Sequence, residues 1–315
     1  MKVVILGKGE MLTNLIEGTL DAKCELVGVF RYERTVLPSW ILKFRDFFKN
    51  SNDVTIIKQH KLNEITAKSA NSEEFRKEIL KLNADIILVG TWKEKLEKAT
   101  IDLPAIACVN VHPSYLPKYR GPNPYLQTIL HRETKSGLTF HLMNEEFDKG
   151  AILSQKKIDI LPNDTGKELK ERTLFQARLM CAEILKNLEY GLIIPIEQQE
   201  KEATYYPNIT PNDIMLDFNA ESAEEIHARI RAFHPWLPCY ITHNNRFFIP
   251  NPYRLRVLNE ATVHKLANNK NYKSGEVITK NATKKSLTIL CKDGKALQMN
   301  DIKLYRYPLL TKLFI

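Results

Sequence analysis

The chain has 315 residues, of which 43% are hydrophobic, and carries a formal net charge of +9 at pH 7. This length is sufficient for two domains with separate cores. No segment approaches the roughly 20 apolar residues that cross a bilayer, and residues 2–7 form a strand-like run in place of a signal peptide. The five cysteines are scattered without a CxxC pair, which excludes a zinc knuckle or redox dithiol and favours a reducing compartment. We therefore expect a cytoplasmic protein that needs no metal and no membrane.

The first part of the chain alternates short apolar runs with helical patterns, as is typical of a parallel sheet with crossover helices. We predict strands at 2–7, 25–30, 54–58, 85–90 and 107–112, and helices at 11–20 and 72–82. Ser72 is suited to cap the second helix. Gly7 and Gly9 follow the first strand, but the third glycine of a dinucleotide-binding fingerprint is missing, which disfavours dinucleotide binding.

A basic and aromatic segment at 31–49 interrupts this pattern. Trp40, Phe44 and Phe47 recur at helical spacing, which favours an amphipathic helix packed on the protein. The alternative is an arm in which Arg31, Arg34 and neighbouring aromatic side chains contact nucleic acid.

The later part of the chain changes from mixed to mostly β patterns. We predict helices at 127–133 and 164–186, strands at 135–143 and 152–160, and an exposed connector at 195–208. After a helix at 221–233 come short strand-like runs broken by Asn, Pro and Gly, which suggest a small barrel or sandwich. The sequence thus predicts an α/β domain at 1–190, a linker at 191–208 and a mostly β domain at 209–315.

The positive charge is concentrated in this last region. Residues 209–315 contain 16 Lys and Arg against 9 Asp and Glu, a net charge of +7. A small basic domain suggests a polyanionic partner. The alternative is a surface that is merely solvated by lysines.

Polar side chains meet at the end of the strand predicted at 107–112. Asn110 and His112 are two residues apart, so they point to the same face of that strand, and Pro113 ends the strand because it has no backbone donor. Ligands of open α/β sheets bind at the carboxyl ends of strands. Asp148 follows a further apolar segment. Together these three side chains can donate to an oxyanion and accept a proton.

Two longer motifs surround these residues. The first follows the pattern Asn-x-His then Ser-x-Leu-Pro-x-Tyr-Arg-Gly, carried here by Asn110, His112, Ser114, Leu116, Pro117, Tyr119, Arg120 and Gly121. The second follows Gly-x-Thr-x-His-x-Met then Asp-x-Gly-x-Ile, carried by Gly137, Thr139, His141, Met143, Asp148, Gly150 and Ile152. This pair of motifs resembles the signature of the 10-formyltetrahydrofolate-dependent formyltransferases.

The resemblance continues into the second half of the chain. Residues 201–218 and 230–238 are similar to the linker and C-terminal domain entry of methionyl-tRNA formyltransferases. It implies a Rossmann-like catalytic domain, followed by an OB-like barrel that contacts tRNA phosphates, in agreement with the basic C-terminal region. Two features depart from the family: residues 31–49 lack its Gly-rich acceptor-end loop, and Trp92 stands where Tyr is usual.

The resemblance also implies the binding residues. A folate site is expected along the loop of Ser114, Tyr115, Leu116 and Pro117. The candidates for contact with tRNA are Arg31, Arg34, Lys280, Lys284, Lys285 and Lys292. The expected donor is 10-formyltetrahydrofolate, the expected partner is initiator Met-tRNA, and the protein is expected to act as a monomer.

Formyl transfer to an amine passes through a tetrahedral oxyanion, which preorganised donors stabilise. Asn110 and His112 are the expected donors, and Asp148 is the expected base or partner of His112. His141, on an alternating strand, is expected to be structural. Two alternatives stay open: a nucleotide-sugar N-formyltransferase acting on an amino sugar, and a tRNA-binding protein without catalysis.

Overall fold

The computed structural model describes residues 1–37, 41, 44, 51–283 and 285–305. The chain forms two compact units. Unit 1 consists of Met1–Gly121, Ser136–Ile158 and Glu171–Tyr205, and unit 2 consists of Pro122–Lys135, Asp159–Lys170 and Tyr206–Ile315. The continuous division into 1–190, 191–208 and 209–315 stays a prediction. No helix within the described ranges combines the length and the apolar character needed to span a membrane.

Thirteen strands are described. They are β1 (Lys2–Gly7), β2 (Glu25–Arg31), β3 (Ile86–Gly90), β4 (Ala107–His112), β5 (Lys135–Leu142), β6 (Ile152–Asp159), β7 (Ile241–His243), β8 (Arg246–Ile249), β9 (Leu255–Leu258), β10 (Val277–Asn281), β11 (Ser286–Leu290), β12 (Ala296–Met299) and β13 (Lys303–Tyr305).

The described helices are α1 (Gly9–Asp21), α2 (Glu33–Val36), α3 (Asn52–Gln59), α4 (Glu73–Leu82), α5 (Lys98–Ile101), α6 (Pro124–Leu130), α7 (Gly166–Glu189), α8 (Ala223–Phe233) and α9 (Glu260–Ala267). Single 3-10 turns occur at Glu200–Glu202 and Pro211–Ile214. As predicted, Ser72 caps α4: its side chain accepts a hydrogen bond from Phe75 N at 3.2 Å.

A six-stranded sheet in the order β2-β1-β3-β4-β5-β6 forms the centre of the first half of the chain. Strands β1 to β4 pair in parallel, and β5 runs antiparallel to β4. All four side chains from Val3 to Leu6 and all five residues of β3 are buried, because helices and loops cover both faces of such a sheet. The sheet therefore places the C-terminal end of β4 beside an antiparallel neighbour, β5.

The strand predicted at 54–58 is wrong, since these residues lie within α3. Its β-branched residues favour a strand in isolation. However, Asp53, Val54, Ile56 and Ile57 are all buried, a helical spacing that lets one face pack against α1. The edge beside β2 is taken instead by the next segment, where Val29 forms a parallel bridge with Glu64.

The helix predicted within 31–49 is described only in part. Its first turn is seen as α2, whereas Trp40 and Phe47 lie outside the described residues.

Unit 2 contains two antiparallel sheets, in the orders β10-β11-β12-β9 and β13-β8-β7. Helix α8 begins with a capping box in which Ser222 and Glu225 bond each other's backbone N–H groups. Helix α9 was not predicted, although Asn259 caps it through Thr262 N. The expected fold class, a mostly parallel α/β sheet followed by a small β domain, is confirmed.

Candidate active site

The register between β4 and β5 brings the two sequence motifs together. Asn110 lies opposite His141, and His112 lies opposite Thr139. Because directly opposed residues on neighbouring strands point to the same face, these four side chains share one surface of the sheet. The site is therefore built by strand pairing at the end of β4, as the spacing of Asn110 and His112 predicted.

His141 fixes the amide of Asn110. The imidazole Nδ1 lies 2.7 Å from Leu142 O and must donate to that carbonyl, which leaves Nε2 to accept from Asn110 Nδ2 at 3.0 Å. Burial, chiefly, lowers the pKa of His141 to about 4, and the neighbouring His112 and Arg120 act in the same direction. His141 is thus a neutral acceptor near pH 7, and the second N–H of the Asn110 amide remains available for a ligand.

His112 and Asp148 form the second half of the site. His112 Nε2 lies 2.9 Å from Tyr119 O and donates to it, and His112 Nδ1 lies 3.3 Å from Asp148 Oδ1. Asp148 Oδ2 accepts from Gly121 N at 3.0 Å. Since Nε2 is committed as a donor, a proton must lie between Nδ1 and the carboxylate to avoid opposing lone pairs. The pair therefore stores one proton as an imidazolium and a carboxylate.

The loop after β4 is fastened by two polar side chains that the sequence did not single out. Thr139 Oγ1 donates to Ser114 O at 2.7 Å and accepts from Leu116 N at 3.2 Å. Gln155 Nε2 donates to Leu116 O at 2.7 Å and to Thr139 Oγ1 at 2.9 Å. Both residues lie on strands of the same sheet, so the loop is anchored to rigid structure.

Gly137 allows this loop to approach the sheet, because a Cβ there would lie 2.6–2.8 Å from three atoms of Tyr115. Of the four predicted folate-binding residues, Ser114 and Leu116 are buried, Pro117 is half-buried and Tyr115 is 37% exposed. Lys157 Nζ lies 5.1 Å from the centre of the Tyr115 ring. Their contact with folate stays a prediction.

A cleft opens beside the catalytic residues, with about 450 Å³ of empty space that is partly open to solvent. Its polar wall includes Asn110, His141 and Asp148, and the predicted loop residues do not line it. Its apolar wall is formed by Val89, Trp92, Leu96, Met143 and Phe147. Trp92 packs against Phe30 and Tyr32, and its Nε1 is buried without a hydrogen-bond partner among the described residues.

The cysteines are unsuited to nucleophilic catalysis. All five are free and buried. Burial raises the pKa of Cys108, which lies on β4, to about 12, so it carries no thiolate at neutral pH.

The predicted tRNA-binding cations have varied surroundings. Arg31 and Arg34 both bind the carboxylate of Glu64, and Arg31 is only 2% exposed. Lys280 Nζ lies 3.4 Å from His243 Nε2, and Lys292 Nζ donates to Ala220 O at 2.8 Å. Lys285 is exposed, and Lys284 lies outside the described residues. Their contact with RNA stays a prediction.

Comparison with known proteins decides the family. Residues 1–185 match the family described as formyl transferase, and residues 208–307 match the formyl transferase C-terminal domain. The chain belongs to the formyl transferase family. It is a formyl-transferring enzyme, and the alternative of a binding protein without catalysis does not stand.

Curated relatives of this formyl transferase match across both halves of the chain. The methionyl-tRNA formyltransferase of Thermotoga maritima is 29% identical over 240 residues, which cover 74% of this chain and 72% of the relative. That of Ehrlichia ruminantium is 32% identical over 259 residues, which cover 82% and 79%.

Solved structures share the fold of this formyl transferase. The N-formyltransferase of Helicobacter canadensis, solved with folinic acid and dTDP-3-aminofucose, has a TM-score of 0.66 at 19% identity and covers 97% of this chain and 100% of its own. The sugar 3N-formyl transferase WlaRD, solved with dTDP and 5-N-formyl-THF, has a TM-score of 0.64 at 17% identity and covers 95% and 97%.

Proposed function

We propose that this enzyme transfers the formyl group of 10-formyltetrahydrofolate to the α-amino group of methionyl-initiator tRNA. The observation that carries the proposal is the convergence of Asn110, His112 and Asp148 at one end of the sheet, in a chain whose curated relatives are named methionyl-tRNA formyltransferases. Action as a cytoplasmic monomer is part of the same proposal.

Each catalytic side chain has a separate task in this proposal. The free N–H of Asn110 donates to the formyl oxygen as negative charge develops there, which is worth about 3 kcal/mol for one preorganised donor. The carboxylate of Asp148 accepts the proton that the attacking amine loses, directly or through water. The proton stored between His112 and Asp148 is available to the intermediate or to the leaving nitrogen. No covalent bond to the enzyme is needed.

The cleft beside Asn110 suits a folate donor. The apolar wall of Val89, Trp92, Leu96 and Met143 offers contact to a flat heterocycle, and pockets of this kind are mostly apolar with a few fixed polar groups. The buried Trp92 Nε1, which has no partner among the described residues, is a donor that a bound ring can satisfy. The bound folate supplies the activated formyl group.

The acceptor is inferred from the relatives and from charge. The net charge of +7 over residues 209–315 favours a polyanion such as tRNA. Of the candidate cations, Arg31 and Arg34 are weakened by their shared partner Glu64, so we expect the lysines of unit 2 to contribute more.

A nucleotide-sugar N-formyltransferase is the second candidate, because the solved structures with TM-scores of 0.66 and 0.64 act on or bind nucleotide-linked ligands. An acceptor comparison tests both. The protein is incubated with 10-formyltetrahydrofolate and either Met-tRNA or dTDP-3-aminofucose, and the formylated product is measured. We expect formyl-Met-tRNA; formylation of the amino sugar alone would refute the proposed acceptor.

A further inference from the structure

The segment 196–205, which the sequence predicts to be part of an exposed linker, is fastened beside the active site. It lies between the two family matches and belongs to unit 1. Ile196 forms an antiparallel bridge with Ile152, the last residue of the second motif. Thr204 accepts from Tyr119 N through its hydroxyl at 2.8 Å and from Arg120 N through its carbonyl at 2.9 Å. The segment thus contacts both motif loops.

Between these anchors, Gln198 reaches the turn that carries Asp148. Its Nε2 donates to Asp148 O at 2.8 Å and to Gly150 O at 2.9 Å. One amide therefore uses both of its N–H groups to join the two ends of a three-residue turn. Asp148 adopts a φ of +59°, which is unfavourable for a residue with a side chain and persists only where surrounding contacts enforce it.

Arg120 sets the orientation of the Gln198 amide. Its Nη2 donates to Gln198 Oε1 at 2.7 Å, and the same guanidinium binds both carboxylate oxygens of Glu200, at 2.9 and 2.7 Å. Because Oε1 already accepts from Arg120, Nε2 must face the two carbonyls. Arg120 is 5% exposed, and a buried guanidinium with a bidentate partner is a rigid support.

We propose that Gln198 is a positioning residue for the Asp148 carboxylate. It bonds the main chain of Asp148, so it acts on catalysis through the placement of the turn. The contacts that depend on this placement are the 3.3 Å approach of Asp148 Oδ1 to His112 Nδ1 and the 3.0 Å bond from Gly121 N. The inference rests on the role of Asp148 in the proposed function, but it holds for either acceptor.

The test compares Gln198→Ala with Gln199→Ala, which removes the same side chain from the next, exposed position. Turnover is measured with the acceptor that the unaltered enzyme formylates. We expect kcat to fall about 10- to 100-fold in Gln198→Ala, as for a displacement of about 1 Å at a reacting group, with KM for both substrates unchanged. Gln199→Ala is expected to match the unaltered enzyme. Equal kcat in the two variants would overturn the proposal.

A second variant covers the case in which Gln198→Ala fails to fold. Gln198→Glu keeps the length and the contact with Arg120 but replaces the two N–H donors by an oxygen that faces carbonyls. We expect the same loss of kcat; turnover equal to that of the unaltered enzyme would overturn the proposal.

A double-mutant cycle separates positioning from a merely structural role. If Gln198 acts through Asp148, adding Gln198→Ala to Asp148→Asn causes little further loss of the residual turnover. An equal fold-loss on both backgrounds would overturn the inference. Activity of the unaltered enzyme on dTDP-3-aminofucose in place of Met-tRNA would refute the proposed acceptor alone, because the mutant ratios are measured with either substrate.

Discussion

Replacing Asp148 by Asn isolates the proton-accepting role of the carboxylate. The amide has the same shape, so its Oδ1 can accept from Gly121 N where the carboxylate accepts now at 3.0 Å. Its Nδ2 then faces His112 Nδ1, 3.3 Å away in the present structure, and donates to the lone pair of a neutral imidazole whose Nε2 still bonds Tyr119 O. Every hydrogen bond is retained, whereas the negative charge and the proton acceptor are lost.

The expected effect is therefore on the chemical step. A general base contributes about 10²- to 10⁴-fold, which corresponds to roughly 2.7 to 5.4 kcal/mol of the activation barrier. We expect kcat of Asp148→Asn to fall at least about 100-fold, with unchanged circular dichroism and unchanged affinity for 5-formyltetrahydrofolate.

Single-turnover formylation at saturating substrate measures this step. Glu146→Gln is the matched control, because Glu146 is a second carboxylate that lines the same cleft but pairs with Lys149 at the surface. It is expected to retain full turnover. Near-normal turnover of Asp148→Asn, or an equal loss in Glu146→Gln, would refute the assignment of Asp148 as the proton acceptor.

Three further results are expected. His112→Ala should also lower kcat at least about 100-fold without unfolding the protein, and a smaller loss at matched circular dichroism would argue against its role. Trp92→Ala should weaken 5-formyltetrahydrofolate binding about tenfold by titration calorimetry, since losing an aromatic contact costs about 1.4 kcal/mol; unchanged affinity would place the folate elsewhere. Removing four lysine charges of unit 2 should flatten the dependence of log affinity for Met-tRNA on log salt by as much as about 3, at 0.7 to 0.9 per phosphate contact, with folate affinity as the control; an unchanged slope would show that these lysines only solvate the surface. They are Lys280, Lys284, Lys285 and Lys292.

The stability of the protein should also depend on His141 in mildly acidic solution. Its pKa is lowered from 6.5 to about 4 by burial, so below pH 6.5 the unfolded chain binds a proton that the folded chain does not. The free energy of unfolding should therefore fall as the pH is lowered from about 6.5 to 4, by about 3 kcal/mol in total from this group. Urea unfolding across this range should show a flatter pH dependence for His141→Gln, whose side chain does not titrate; an identical dependence would contradict the prediction.

The sequence by itself determined the parallel core and the centre of the site. Asn110 and His112 share a face because side chains alternate along any strand, and Pro113 ends that strand wherever it lies. The buried runs at β1, β3 and β4 and the cap at Ser72 were predictable for the same reason: these features depend on local geometry and on neighbours in the chain.

The tertiary structure decided everything that depends on pairing between distant segments. The partnership of Asn110 with His141 requires the register of β4 and β5, which residue spacing within either strand does not specify. Residues 54–58 have strand-forming composition, yet they fold as α3 because one helical face is buried, and burial outweighs a preference of about 1 kcal/mol. Gln198 lies 50 residues beyond Asp148 in a segment without hydrophobic periodicity. Its contact with the Asp148 turn is created only when Arg120, the bridge at Ile196 and the strand ends meet in space.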